Sequence, residues 1–308
     1  MALLYKADPV RGAEWKALIA EKSPCLACHV WPETGDPALV RYLAVWEPPE
    51  DMMTRFPRTE IVFSTGAGVD QFDLSVLPAH IPLVRMVEPG IVESMVEYVT
   101  MAVLALHRDL PFYVKDKENR QWNPVRIMSA GKRTVGIMGL GRLGEAVCRQ
   151  LLRFGFPVVG WNRSPRVIDA LTCYAGAAAL PDFLERCEIL VCLLPLTSET
   201  SGILDAQLFS RLPRGASLVN VARGRHLVQD DLLAALDSGQ ITSAFLDVTD
   251  PEPLPQDHVL WAHPHVMITP HIASMTRPEA AVDFVLETIK RHKAGLPLEG
   301  VVDRLRGY

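Results

Sequence analysis

The sequence has no extended basic cluster: 31 lysines and arginines are outnumbered by 36 aspartates and glutamates, giving a formal charge of −5 at pH 7. Phosphate backbones select clustered Lys and Arg, so nucleic acid is not an expected partner. The opening residues Met1-Ala2-Leu3-Leu4-Tyr5-Lys6-Ala7-Asp8 lack the basic start and long apolar core of an export signal. An uninterrupted hydrophobic run is also missing. The longest apolar region, Ile91 to Leu106, is broken by Glu93 and Glu97 and does not read as a membrane span. A cytoplasmic location with no membrane partner is the resulting expectation, and the six cysteines read as free thiols. One spacing, Cys25-Leu26-Ala27-Cys28-His29, matches the haem-attachment pattern. That attachment needs export, and on a short strand Cys25 and Cys28 would face opposite sides, so the match reads as chance.

What is present is an alternation of short apolar runs and helical segments. A chain of 308 residues exceeds one ordinary core, which predicts two domains. Runs at Leu3–Lys6, Leu26–Trp31, Tyr42–Trp46, Ile61–Ser64 and Leu83–Val87 read as buried strands, with a helix over Arg11–Lys22. A long helix from Ile91 to Leu110 carries Val92, Val96, Val99 and Val103 on one stripe. The stretch Pro111 to Lys132 reads as an irregular approach to a second domain. There, strands are expected at Thr134–Met138, Val158–Trp161, Ile189–Leu193, Leu218–Val221, Ala244–Leu246 and Val266–Ile268. Helices fit over Arg142–Phe154, with Leu143, Val147, Leu151 and Phe154 on one face, and over Gln229–Ser238. The last helix, Pro278 to Ala294, is expected to pack back on the first domain. The pattern predicts an α/β protein of two doubly wound parallel-sheet domains.

Between the strand ending at Met138 and the helix from Arg142 lies Gly139-Leu140-Gly141-Arg142-Leu143-Gly144. With a buried strand before it and an amphipathic helix after it, this is a dinucleotide-binding turn. Gly139 permits the turn, Gly141 lets backbone approach a pyrophosphate, and Gly144 lets helix and strand pack closely. The pyrophosphate is then expected on the free N–H groups of the helix N-terminus. The next strand ends in Trp161-Asn162-Arg163-Ser164, without the acid that holds a ribose 2′-hydroxyl. Asn162, Arg163 and Ser164 are instead able to donate to a 2′-phosphate, which predicts NADPH as the preferred cofactor with NADH as the alternative.

Three further residues follow successive strands: Arg223, Glu252 and His271. Reduction of a 2-keto acid needs a cation to bind the carboxylate and polarise the carbonyl. It also needs a proton donor and a group that keeps the donor protonated. A carboxylate beside an imidazole favours the imidazolium form, so Glu252 and His271 suit each other. His258, His263 and His265 match no metal-ligand spacing, and no metal is expected.

The strings VGIMGLGRLG, LLPLTSET, LVNVARG, DDLLAALDSG, FLDVTDPEPLP and ITPHIAS, spanning residues 134 to 274, resemble the D-isomer-specific 2-hydroxyacid dehydrogenase family. The resemblance implies Arg223 as the substrate-binding and polarising residue, His271 as proton donor, and Glu252 as the partner acid of His271. A glutamine at Glu252 would point to formate dehydrogenase, and the glutamate argues against it. Cofactor contacts are implied at Gly139, Gly141, Arg142, Leu143, Gly144, Asn162, Arg163, Ser164, Leu194, Pro195, Thr200, Val221, Ala222, Arg223, Asp247, His271, Ala273 and Ser274.

Val45-Trp46-Glu47-Pro48-Pro49, Ser64-Thr65-Gly66-Ala67-Gly68-Val69-Asp70, Asn162-Arg163-Ser164 and the ending Val302-Asp303-Arg304-Leu305-Arg306-Gly307-Tyr308 resemble that family's glyoxylate/hydroxypyruvate reductase A branch. By that likeness Trp46, Gly66 and Ala67 join Arg223 and His271 as substrate-binding residues, Gly66-Ala67 as a cradle of backbone N–H groups. It implies NADPH-dependent reduction of a small 2-keto acid, a homodimer with the helix from Ile91 as candidate interface, and two domains. These are a flavodoxin-like substrate domain (1–102 and 276–308) and a Rossmann domain (103–275) inserted in it. A dehydrogenase for a different 2-keto acid and a cofactor-sensing binding protein on the same fold remain as alternatives.

Overall fold

The computed structural model describes residues 1–304, 306 and 307; Leu305 and Tyr308 of the C-terminal motif lie outside the described residues. The chain divides into two compact units, one of Met1–Glu93 with the residues from Met275 onward, the other of Ser94–Ser274.

The first unit opens with β1 (Ala2–Lys6), α1 (Pro9–Lys22), β2 (Ala27–Val30), β3 (Val40–Val45), α2 (Met52–Arg55), β4 (Ile61–Ser64) and β5 (Leu83–Val84). The strands form one parallel sheet in the order β2-β1-β3-β4-β5, the flavodoxin-like arrangement. β1, β3 and β4 are covered on both faces, which is why they read as continuous apolar runs. Asp8 starts α1 by accepting the Arg11 amide at 2.8 Å, with Pro9 in the first turn where its missing N–H costs nothing. Gly12 lets α1 close on the sheet: a Cβ there would stand 2.7 Å from Val30. The paired cysteines do not share a strand. Cys25 is exposed ahead of β2, while Cys28 is buried, and burial pushes its thiol up to about 11.

The chain leaves this unit through α3 (Pro89–His107). The division at Glu93 falls in its opening turn rather than toward its end, where the sequence placed it. α3 is long and apolar enough by composition to cross a membrane, but Tyr98, Val99, Ala102, Val103 and Leu106 are buried among Val135, Ile137, Val147 and Phe245. A second helix, α4 (Leu110–Glu118), occupies part of the stretch expected to be irregular. Asp109 breaks the path with φ 56, and Pro111 then sits in a new first turn, where proline favours a helix.

The second unit continues with β6 (Val135–Met138), α5 (Arg142–Arg153), β7 (Val158–Asn162), β8 (Thr172–Ala175), α6 (Leu180–Leu184), β9 (Ile189–Cys192), α7 (Ala206–Arg211), β10 (Ala216–Asn220), α8 (Gln229–Asp237), β11 (Ile241–Leu246) and β12 (Val266–Ile268). All seven strands are parallel, ordered β12-β11-β10-β9-β6-β7-β8, which is the Rossmann order with one strand added. The order reverses between β6 and β9. One face packs α3 and α5 through Val99, Val103, Val147 and Leu151, the other packs Phe183, Leu208 and Leu232. α5 buries Val147, Cys148 and Leu151, but Phe154 is its C-cap and is 45% exposed, not part of the apolar face.

α9 (Pro278–Lys293) returns to the first unit, as expected, burying Ala281, Val282, Val285 and Ile289 and packing on α1. Lys22 reaches Asp283 at 2.5 Å. Beyond it Val302 enters the core beside Leu83, and the Arg304 guanidinium donates to the carbonyls of Leu74, Leu77, Pro78 and Ile81 at 2.6–3.2 Å. The cation thus gathers a loop that has no regular structure to satisfy those oxygens.

Candidate active site

Each glycine of the 139–144 turn meets a different steric demand. Gly139 has φ 103, and a Cβ on it would stand 2.7 Å from the Leu193 carbonyl. A Cβ on Gly144 would fall 1.9 Å from the Gly139 oxygen, so α5 packs against the turn only if that residue is glycine. Gly141 faces open space, with nothing within 4 Å of an added Cβ. Two glycines therefore build the turn, and the third leaves room for a ligand above the N-terminus of α5. Arg142 and Leu143 open that helix, Arg142 exposed. The turn lies at the carboxyl end of β6 beside Leu193–Pro195 after β9, at the strand-order reversal where open α/β sheets bind ligands. Leu194 is buried, and Thr200 braces that loop by donating to the Pro195 carbonyl at 2.7 Å and accepting the Thr197 amide.

The end of β7 works partly as a brace. Asn162 accepts the Leu140 amide at 3.4 Å and donates to the Ser164 carbonyl at 3.0 Å, tying its loop to the glycine turn. Arg163 stays half exposed, 3.3 Å from Glu199, and Ser164 is exposed. Arg166 turns inward, donating through Nε and Nη2 to the Leu140 carbonyl at 3.1 and 2.9 Å. The sequence points to Arg163 there, and gives no sign that Arg166 is the arginine that braces the glycine turn.

Arg223, Glu252 and His271 come together on the rim of the same sheet. After β10, buried Asn220 accepts the Ala222 amide and donates to the Arg223 carbonyl at 3.0 Å, shaping the turn that carries Arg223. Gly224 lies flat against the loop after β11: a Cβ on it would be 1.8 Å from the Thr249 oxygen. Gln229 donates to the Asp250 carbonyl, and the Thr249 amide donates to Glu252 Oε1 at 3.1 Å. The arginine turn thus packs against the backbone of the glutamate loop at Gly224, and the Gln229 side chain ties that loop to α8. His226, fully buried, places Nδ1 3.2 Å from the Arg223 carbonyl and Nε2 3.3 Å from the Pro195 carbonyl.

Glu252 Oε2 meets His271 Nδ1 at 2.9 Å. Burial works to raise the glutamate pKa. The hydrogen bond and charge of His271, the Thr249 amide and the charge of Arg223 outweigh it, holding the carboxyl below its ordinary value. An ionised Glu252 accepts from Nδ1–H, so proton donation to a substrate falls to Nε2. His271 has φ 55, a left-handed conformation rare in a residue with a side chain and enriched at functional sites. Its amide donates to the Asp247 carbonyl at 2.8 Å and the Thr269 carbonyl at 3.0 Å. Asp247, expected among the cofactor contacts, is buried and spends its carboxylate on the Ile272 and Ala273 amides at 2.9 and 2.8 Å. Val221, Ala222 and Ala273 are also buried.

Trp46, Gly66 and Ala67 belong to the other compact unit. Trp46 is half-buried at the end of β3, its ring so close to Gly66 that a Cβ there would stand 2.7 Å from it. The turn is braced by Ser64, which accepts the Gly66 amide at 3.3 Å and donates to the Gly68 carbonyl at 2.8 Å. His258 and His263 accept nearby amides, and no group of three His, Cys, Asp or Glu is placed to hold a metal among the described residues.

Residues 100–273 match the family model for the NAD-binding domain of D-isomer specific 2-hydroxyacid dehydrogenases. The chain is 42% identical over 301 residues to a glyoxylate/hydroxypyruvate reductase A of Serratia proteamaculans, covering 96% of both chains. A D-isomer specific 2-hydroxyacid dehydrogenase of Xanthobacter autotrophicus, solved with NADPH and MES, superposes with a TM-score of 0.92 at 39% identity, covering 100% of this chain and 99% of that one. An NADPH-dependent glyoxylate/hydroxypyruvate reductase of Sinorhizobium meliloti, solved with NADP and sulfate, gives 0.93 at 37% identity over 100% and 99%. The chain belongs to the D-isomer-specific 2-hydroxyacid dehydrogenase family.

Proposed function

We propose that this chain reduces small 2-keto acids, glyoxylate and hydroxypyruvate, using NADPH. The carrying observation is the 2.9 Å pairing of His271 with Glu252, fixed beside Arg223 on the rim that bears the glycine turn. NADPH supplies hydride to the carbonyl carbon. Arg223 binds the carboxylate with a planar, permanently charged guanidinium and polarises the carbonyl. His271 delivers its proton to the developing alkoxide from Nε2, while Glu252 holds the ring by accepting from Nδ1. The family likeness adds Trp46 and the Gly66-Ala67 turn as substrate-binding residues. The names and bound cofactors of the relatives support the same assignment.

The preference for NADPH over NADH is supported by the missing acid after β7 and by the half-exposed Arg163, whose surface ion pair is weak enough to yield to a phosphate. A panel of 2-keto acids, followed by loss of NADPH absorbance, tests the whole reading. Turnover is expected on glyoxylate and hydroxypyruvate, with a kcat/KM for NADPH at least about tenfold above that for NADH. Turnover confined to bulkier keto acids would make the chain a different dehydrogenase, and no turnover at all would favour the cofactor-sensing alternative.

We also propose a cytoplasmic homodimer. All six cysteines are free thiols, the state a reducing compartment maintains. Leu110, Trp122, Val125 and Ile127 are exposed in and after α4, Trp122 at 94%. Large apolar side chains so exposed in one segment mark a contact surface. Sedimentation velocity is expected to give the mass of two chains; a single-chain mass at micromolar concentration sinks the proposal.

A further inference from the structure

His271 holds a left-handed backbone conformation that costs on the order of 1–3 kcal/mol and persists only where its surroundings enforce it. The enforcing group is Asp247. Its carbonyl accepts the His271 amide at 2.8 Å, Oδ1 accepts the Ile272 amide at 2.9 Å, and Oδ2 accepts the Ala273 amide at 2.8 Å. Oδ1 also accepts the Thr269 hydroxyl at 2.6 Å. One buried carboxylate thus grips the chain on both sides of the histidine.

The hydroxyl network has a fixed direction. Carboxylate oxygens only accept, so the single hydroxyl proton of Thr269 is committed to Asp247. Thr269 Oγ1 lies 2.5 Å from Tyr98 Oη, and with its own proton committed it is able only to accept there. Tyr98 therefore donates to Thr269, and Thr269 donates to Asp247. Burial pushes the Tyr98 phenol up to about 12, so the donor keeps its proton throughout the neutral range. The ring itself has little freedom. Tyr98 is buried in α3 within the cluster of Val99, Ala102, Ile137, Val191 and Phe245. No local motif announces this contact, since Tyr98 and Thr269 are 171 residues apart in the sequence.

We infer that Tyr98 is a positioning residue for the proton donor, acting through Thr269 and Asp247 to hold the His271 loop in its left-handed form. The inference rests on the reading of His271 as that donor. Tyr98 fixes the Thr269 hydroxyl, whose bond fixes the carboxylate that grips the loop. Because α3 also carries the chain from one compact unit into the other, the proton donor is anchored to the connecting helix rather than to a free surface loop.

The test is a cycle of Tyr98→Phe, Thr269→Val and the double variant, with Thr269→Ser and His271→Ala as controls. A misplacement of about 1 Å costs up to about a hundredfold, so partial loosening by Tyr98→Phe is expected to lower kcat about tenfold. The Kd for NADPH, read by nucleotide fluorescence, is expected to stay within about twofold, showing that the fold is intact. Since Tyr98 acts only through Thr269, the double variant is expected to be no slower than Thr269→Val alone. Thr269→Ser keeps the hydroxyl and is expected to restore most of kcat. Amide hydrogen exchange at Ile272 and Ala273 is expected to speed up in both Tyr98→Phe and Thr269→Val. Tyr98→Phe with unchanged kcat, or losses that simply add in the double variant, overturns the inference. If His271→Ala is inactive while Tyr98→Phe turns over normally, only the positioning role fails. If His271→Ala itself keeps most of its turnover, the reading of His271 as donor fails.

Discussion

Replacement of His271 by alanine is expected to lower kcat by about two to four orders of magnitude, the usual contribution of a placed general acid. NADPH binding is expected to remain close to that of the unaltered protein, because the glycine turn and the Leu193–Pro195 segment do not depend on the imidazole. Alanine also relieves less strain than glycine would at φ 55, so the loop still relies on Asp247 for its path. The result separates chemistry from binding: single-turnover kcat falls, and the Kd for NADPH read by fluorescence does not. Glu252 stays ionised at neutral pH in the intact site, and its partner's loss leaves that carboxylate with the Thr249 amide and the charge of Arg223. A variant that keeps most of its kcat removes His271 from the mechanism.

Replacement of Arg223 by glutamine is expected to cost about three orders of magnitude in kcat/KM for the keto acid. Glutamine retains hydrogen-bonding capacity but not the charge that holds a carboxylate and stabilises a developing alkoxide. Both KM and kcat are expected to suffer, since the guanidinium serves ground-state binding and the transition state alike. Lysine restores charge without the planar fork, so Arg223→Lys is expected to recover only part of the loss. The backbone of the turn should survive either change, because Asn220 and Gly224 shape it through main-chain contacts. Steady-state kinetics across glyoxylate concentrations checks this, and a loss below about tenfold excludes Arg223 as the principal carboxylate ligand.

What the sequence reveals follows from what each residue packs against. β4 is found with its observed bounds because a buried parallel strand is a continuous apolar run flanked by turn residues, and β12, though at a sheet edge, because Val266-Met267-Ile268 is apolar throughout. β8 escapes at the opposite edge because Thr172–Ala175 is short and only partly buried, without an apolar signature. α4 escapes because a proline in a first turn is indistinguishable, by composition, from a proline that ends a helix. In the site, Arg223, Glu252 and His271 are legible because each lies in the loop after a recognisable strand. Their supports are not. The contacts of Gly224 with Thr249, Gln229 with Asp250, and Tyr98 with Thr269 join segments whose nearness comes from strand order and register, not from local pattern. The loop after β7 shows the same limit within one segment. Composition points to a basic phosphate-facing loop, but only packing decides that Arg166 and Asn162 turn to the backbone while Arg163 faces outward.

The first compact unit is assembled from both ends of the chain, and this sets a timetable for synthesis. Residues 94–274 leave the ribosome as one continuous segment and hold every strand of their sheet, so this unit can close while translation continues. The residues before Ser94 emerge earlier but wait for α9 to cover α1, for Val302 to fill the core beside Leu83, and for Arg304 to gather the loop of Leu74 to Ile81. At about 5–20 residues per second, the interval from Glu93 to Lys293 is roughly ten to forty seconds. During it, the nascent chain carries an uncovered apolar helix face ahead of a finished cofactor-binding unit, so the unit built from both ends of the chain is the last to mature.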